Sequence, residues 1–153
     1  FIISNCKQRF KKRIKIKREY PGNPPLLHVE QQKLKQVMIN IIKNAIQAVG
    51  NGGIISVKID FVKSPGTVIQ GSGTYLAITI KDNGVGITRH SISRVFEPFY
   101  TDKTKGTGLG LTISQKIVRE HGGYIDVYSV PHEFTEFRVY LPVDSEQEMK
   151  GWE

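Results

Sequence analysis

The chain has 153 residues, 39% of them hydrophobic and 24% charged, and carries a net charge of +8. That length fits one domain able to bury a real core, and no run of about eighteen apolar residues suggests a membrane span. The single cysteine, Cys6, excludes an internal disulfide framework and a Cys-rich zinc site, and it fits a reducing, cytoplasmic setting.

Residues 1–6 are read as too short for a signal peptide, and the missing initiator Met suggests a piece excised from something longer. Much of the positive charge (Lys7, Arg9, Lys11, Lys12, Arg13, Lys15, Lys17, Arg18) gathers near the N-terminus. No nucleic-acid motif accompanies it, so a solvated face beside a domain junction is expected, with no nucleic-acid partner.

In chain order, residues 1–12 read as the end of a preceding helical domain or a linker. Ile14 and Ile16 alternate with Lys15 and Lys17, as in an edge strand with one buried face. Pro21, Gly22, Pro24 and Pro25 mark a turn. Leu34, Val37, Met38, Ile41, Ile42, Ala45, Ile46 and Val49 recur at helical spacing and predict an amphipathic helix over 30–49. Asn51-Gly52-Gly53 ends it.

Residues 54–62 and 75–81 predict two strands of a hairpin around a Gly/Ser/Pro loop. A short helix is expected over 91–95 and a mobile loop over 97–108. Leu111, Ile113, Ile117 and Val118 predict a helix over 109–121, stopped by Gly122-Gly123. Strands follow over 124–130 and 134–141, then an acidic tail that frays. The order predicts a two-layer α/β sandwich: a mixed, mostly antiparallel sheet with about three helices on one face. The domain is expected over 13–143, with the tail at 144–153.

Three features carry chemistry. Asn40 and Asn44 are four residues apart, on one face of the predicted helix, where Asn has below-average propensity. Either they form a solvated flank or an amide oxygen serves Mg²⁺, a hard cation that takes most of its shell from water and phosphate. Asp82 opens Asp-Asn-Gly-Val-Gly-Ile at a strand end. A carboxylate only accepts hydrogen bonds, so it suits the exocyclic amine of adenine and not the carbonyl of guanine; alone, it would equally read as a turn residue.

The box Gly106-Thr-Gly-Leu-Gly-Leu111 opens a helix, where free N–H groups favour anions. It lacks the G-K-[ST] of a Walker loop and the spacing of a Rossmann loop. No histidine (28, 90, 121 or 132) is read as part of a metal-ligand pair, and no Ser-His-Asp or Cys-His arrangement is readable.

Together these segments resemble the ATP-binding catalytic domain of bacterial sensor histidine kinases, with its Bergerat-type fold, across residues 14–142. Residues 36–48 look like the asparagine box and 82–87 like the first glycine box. Phe-Glu-Pro-Phe-Tyr-Thr-Asp-Lys (96–103) looks like the phenylalanine box and 106–111 like the second glycine box. Some of the wording is most similar to nitrogen-regulation-type kinases.

The resemblance implies ATP and Mg²⁺ as cofactors. It implies that Asn44 ligates the metal and that Asn40 and Lys103 face the phosphates, the three forming the catalytic set. Asp82 would take the adenine amine, with Gly84, Gly86 and Ile87 lining the base. Phe96 and Phe99 would anchor a lid. Gly106, Thr107, Gly108, Leu109, Gly110 and Leu111 would wrap the triphosphate, and Thr135 would stand near adenine. The family's usual glycines before that Thr are here Glu133 and Phe134.

The family's phosphoacceptor helix is read as missing: its histidine is followed by an acidic residue, and no histidine here is read as having one. The acceptor is therefore expected on a separate domain of the same protein, with a response-regulator receiver domain as the next partner. A monomer is expected for this piece and a homodimer, with membrane attachment open, for the full-length protein. The competing expectations are an ATP-hydrolysing clamp of the same superfamily, a serine kinase and anti-sigma factor, and a nucleotide sensor without transfer. The clamp would carry a Glu where Asn40 stands.

Overall fold

The computed structural model describes residues 13–20, 27–63, 73–101 and 106–143. The predicted 21–25 turn, the 1–12 segment, the tail at 144–153, Lys103 and most of the 63–74 loop lie outside these residues.

Among the described residues five strands and three helices are formed: β1 (Lys15–Glu19), α1 (Gln31–Ala48), β2 (Ile54–Lys63), β3 (Thr74–Asp82), α2 (Arg89–Ile92), α3 (Gly110–Glu120), β4 (Tyr124–Val130) and β5 (Phe134–Pro142). They make one sheet in the order β1-β2-β3-β5-β4. β1 runs parallel to β2, and every other pairing is antiparallel. The expected mixed sheet with helices on one face is what forms.

The short helix differs from expectation. It starts at Arg89 and ends at Ile92 because Thr88 caps it, its hydroxyl accepting from the Ser91 N–H. The sequence reading expects it over 91–95.

The core lies between the helices and one sheet face. Val37, Ile41, Ile42, Ala45 and Ile46 of α1 and Ile117 and Val118 of α3 pack on Ile55, Val57, Ile78, Ile80, Phe137, Val139 and Leu141. Strand alternation puts these residues on one face. Ile41, Ile46, Ile55 and Ile80 are all under 2% exposed, and each such side chain stabilises the fold by about 1.5–3 kcal/mol.

On the other sheet face, the Tyr124 and Tyr140 rings stack with centroids 4.4 Å apart. Burial pushes the Tyr124 phenol well up, and its hydrogen bond with Tyr140 adds to this. Among the described residues no helix is long and apolar enough to cross a membrane.

Candidate nucleotide-binding site

At one end of the site β3 delivers Asp82 onto the core-facing side, 3% exposed. Its Oδ1 accepts from the Gly84 N–H at 2.9 Å, which holds the carboxylate at the start of the turn. Asn83 ties the turn to β2, accepting from the Ile54 N–H at 2.7 Å.

Two glycines are required here. A Cβ on Gly84 would stand 2.6 Å from the Ala48 carbonyl. Gly86 has φ +68°, and its Cβ would lie 2.3 Å from the Val130 oxygen. The loop is stitched on both sides: Val85 donates to the Ala48 carbonyl and accepts from the His132 N–H.

Ile87 donates its N–H to Ser129 Oγ at 2.8 Å. Ser129 in turn meets the Phe134 carbonyl at 2.6 Å and Thr135 Oγ1 at 3.0 Å. Thr135, also 3% exposed, is the cross-strand partner of Asp82. Asp82, Gly84, Gly86, Ile87 and Thr135 thus lie together at this end of the sheet.

At the other end α3 begins at Gly110 behind Leu109, with no side-chain cap and no acidic residue in its first turn. Its N-terminal N–H groups and dipole favour an anion. Gly108 has φ +67°, and its Cβ would lie 2.4 Å from the Phe99 backbone. Phe99 has φ 64°, donates its N–H to the Gly108 carbonyl at 3.0 Å, and leaves its side chain 75% exposed.

Phe96 instead packs against the core, and its carbonyl accepts from the Thr112 hydroxyl at 3.1 Å. The two phenylalanines therefore differ: one ring is seated, and the other contributes through its backbone. Gly106 and Thr107 are exposed, while Leu111 packs on the core.

Helix α1 joins the two ends. Asn40 Nδ2 donates to the Gly110 carbonyl at 2.9 Å and to Ser114 Oγ at 3.1 Å, and Asn40 Oδ1 accepts from Gln36 at 2.9 Å. Ala48 touches the Asp82 loop through its carbonyl. Residues 40, 44 and 48 follow one helix face, so Asn44, half-buried, stands between the two contacts.

Among the described residues, no group of three His, Cys, Asp or Glu could hold a metal. An amide oxygen at Asn44 fits Mg²⁺ only as one ligand beside phosphates and water. The glycines at 84, 86 and 108 are required by the protein's own backbone, which lies where a Cβ would stand.

Sequence reasoning missed Thr112, Ser114 and Ser129. A signal existed for two of them. Ser114 falls on the buried stripe of α3 between Leu111 and Val118, and Ser129 continues the core-facing alternation of Ile125 and Val127. One expectation needs correction: His132 is followed by Glu133, so a His-acid pair does occur. It lies in the tight turn between β4 and β5, with His132 at φ 64°, and not on a helix.

Residues 29–145 match the family described as histidine kinase-, DNA gyrase B- and HSP90-like ATPase, and the chain belongs to that family. It is 43% identical over 119 residues to sporulation kinase E of Bacillus subtilis, covering 78% of this chain and 15% of that protein. It is 35% identical over 143 residues to the sensory histidine kinase/phosphatase NtrB of Rhizobium meliloti, covering 90% of this chain and 37% of that one. The chain thus spans well under half the length of these relatives. The catalytic domain of histidine kinase ThkA superposes with a TM-score of 0.72 at 28% identity, over 92% of this chain and 91% of that one.

Proposed function

We propose that this chain binds Mg²⁺–ATP and donates the γ-phosphoryl group to a histidine on a separate phosphoacceptor domain of a sensor histidine kinase. The full protein would be a homodimer that passes the group on to a response-regulator receiver domain. The observation that carries the reading is the buried Asp82 carboxylate, fixed by the Gly84 N–H in a turn where a Cβ on Gly84 or Gly86 would strike backbone.

In this reading Asp82 accepts from the adenine amine. The N-terminus of α3, with Gly106, Gly108 and Gly110 around it, receives the phosphates, and Lys103 adds a point charge. Mg²⁺ would be held by Asn44 and would neutralise phosphate charge. Phosphoryl transfer needs positioning and electrostatics more than covalent help from the protein. The Asn40 side chain favours transfer over hydrolysis. It is an amide already hydrogen-bonded to Gly110 and Ser114, and it cannot take a proton from water.

The test has two arms. Calorimetry with Mg²⁺ should show ATP and ADP binding and GTP failing to compete. Asp82→Asn should weaken ATP by tenfold to a hundredfold, the effect of one mispaired buried group of about 1–3 kcal/mol. With radiolabelled ATP, a supplied phosphoacceptor domain should gain acid-labile label while this chain gains none. Label on His132 would overturn the reading.

A further inference from the structure

We infer that Asn40 is a positioning residue: it acts on a bound nucleotide by holding the first turn of α3 against α1, through Gly110 and the buried hydroxyl of Ser114. The inference rests on the reading of the α3 N-terminus as the phosphate seat, and it names Ser114, a residue outside the sequence motifs, as the anchor of that seat.

Three polar atoms form a closed cluster between the two helices. Asn40 Nδ2 lies 2.9 Å from the Gly110 carbonyl oxygen and 3.1 Å from Ser114 Oγ, and Ser114 Oγ lies 2.8 Å from the same carbonyl. A carbonyl oxygen only accepts, so both groups that face it donate. That fixes which way the Asn40 amide is turned. Its nitrogen faces α3, and its oxygen accepts from Gln36 Nε2 at 2.9 Å. The amide also rests on Gly110 itself, with Cγ at 3.6 Å and Nδ2 and Oδ1 at 3.8 Å from where a Cβ would stand.

Helix α3 has no side-chain cap of its own, because Leu109 stands at the cap position and offers no oxygen. In its first turn Thr112 donates to the Phe96 carbonyl, and Asn40 makes the tie to α1. Ser114 is 0% exposed and Asn40 is half-buried, so deleting either one leaves a shielded polar partner unmet. A fully buried Ser114 cannot touch a ligand that enters from solvent. Any effect of Ser114 on nucleotide affinity therefore passes through the placement of α3, whose N-terminal N–H groups move with the helix.

A double-mutant cycle tests this by Mg²⁺–ATP calorimetry on wild type, Asn40→Ala, Ser114→Ala and the double variant, with thermal melting to verify folding. Each single change should weaken ATP binding by about tenfold. The double variant should lose about the same factor, because both changes break one tie. Adenosine, which has no phosphates, should bind wild type and Ser114→Ala alike in an NMR titration. Wild-type ATP affinity in Ser114→Ala, single losses that multiply to about a hundredfold, or an equal loss of adenosine affinity overturns the inference while wild-type ATP binding stands. Asn40→Asp decides the matter if the alanine variants fail to fold. At neutral pH it sets a carboxylate, which cannot donate, against the Gly110 carbonyl. Without nucleotide it should melt below wild type at neutral pH, and the gap should close in acid, where the protonated carboxyl donates again. A gap that is absent, or that ignores pH, overturns the inference. Failure of the wild type to bind ATP overturns the functional reading instead.

Discussion

The two ends of the site are built differently. At the Asp82 end the Asp82 and Thr135 side chains are buried and hydrogen-bonded, and the loop is clamped between α1 and the β4–β5 turn; Gly84 and Gly86 sit against backbone that belongs to the sheet and to α1. At the glycine-box end the Gly108–Phe99 contact is a single backbone hydrogen bond between two exposed or half-exposed residues, and the Phe99 ring points to solvent. A tightly held loop therefore adjoins a segment with fewer ties among the described residues, whose local opening is cheap. Such a segment can change its arrangement for a ligand that makes new contacts with it.

The largest effect expected from this contrast is at Gly86. An alanine there would need a positive φ and would press its Cβ on the Val130 carbonyl, with the sheet unable to give way. Gly86→Ala should destabilise the fold by about 3 kcal/mol and remove nucleotide binding. Urea denaturation followed by circular dichroism would measure it.

Gly108→Ala poses the same geometric problem, with φ +67° and a Cβ 2.4 Å from Phe99. Its neighbour can shift, so stability should fall by only about 1 kcal/mol. The damage should appear as a loss of ATP affinity of about tenfold. Equal denaturation midpoints for the two variants would erase the distinction between the ends.

The smallest effect should come from the start of α1, remote from both. Lys33 pairs with Glu30 at 2.9 Å and with Glu120 of α3 at 3.4 Å, all exposed. The hydrogen bond from Lys33 lowers the Glu30 carboxyl below its ordinary value, and the bonds to Glu30 and Glu120 raise Lys33. The Glu30 contribution is present above its ordinary value of 4.5 and is lost as pH falls through its lowered one. The Lys33 contribution is present below 10.5 and is lost as pH rises through its raised value. Lys33→Met should therefore melt slightly lower than wild type at neutral pH, and the gap should close in acid. A gap that persisted in acid would assign the effect to packing of the lysine stem.

The layout of the sheet and of α1 was legible because both periods, 2 and 3.6, run cleanly through the apolar residues. Asp82, Gly84 and Gly86 stood out because a carboxylate and glycines at a strand end have few reasons to coincide. What stayed hidden depends on contacts far apart in sequence. Asn40 meets Gly110 and Ser114 across about seventy positions, and the Glu30 N–H meets His121 Nε2 at 3.0 Å across ninety-one. A single serine in an apolar stripe announces neither its partner nor the direction of its proton. The α2 boundary has a local cause that the sequence reading did not use: Thr88, three residues before Ser91, is a cap residue.

The line of residues 40, 44 and 48 along α1 acts as a ruler. Eight residues of helix span about 12 Å and resist stretching, so the interval between the two ends is written into the chain length of α1 and not into any loop. Adding or removing one residue between Asn40 and Ala48 would rotate one contact about 100° away from the other. Variation in length can thus accumulate in the connections between strands, while this stretch of helix keeps its count.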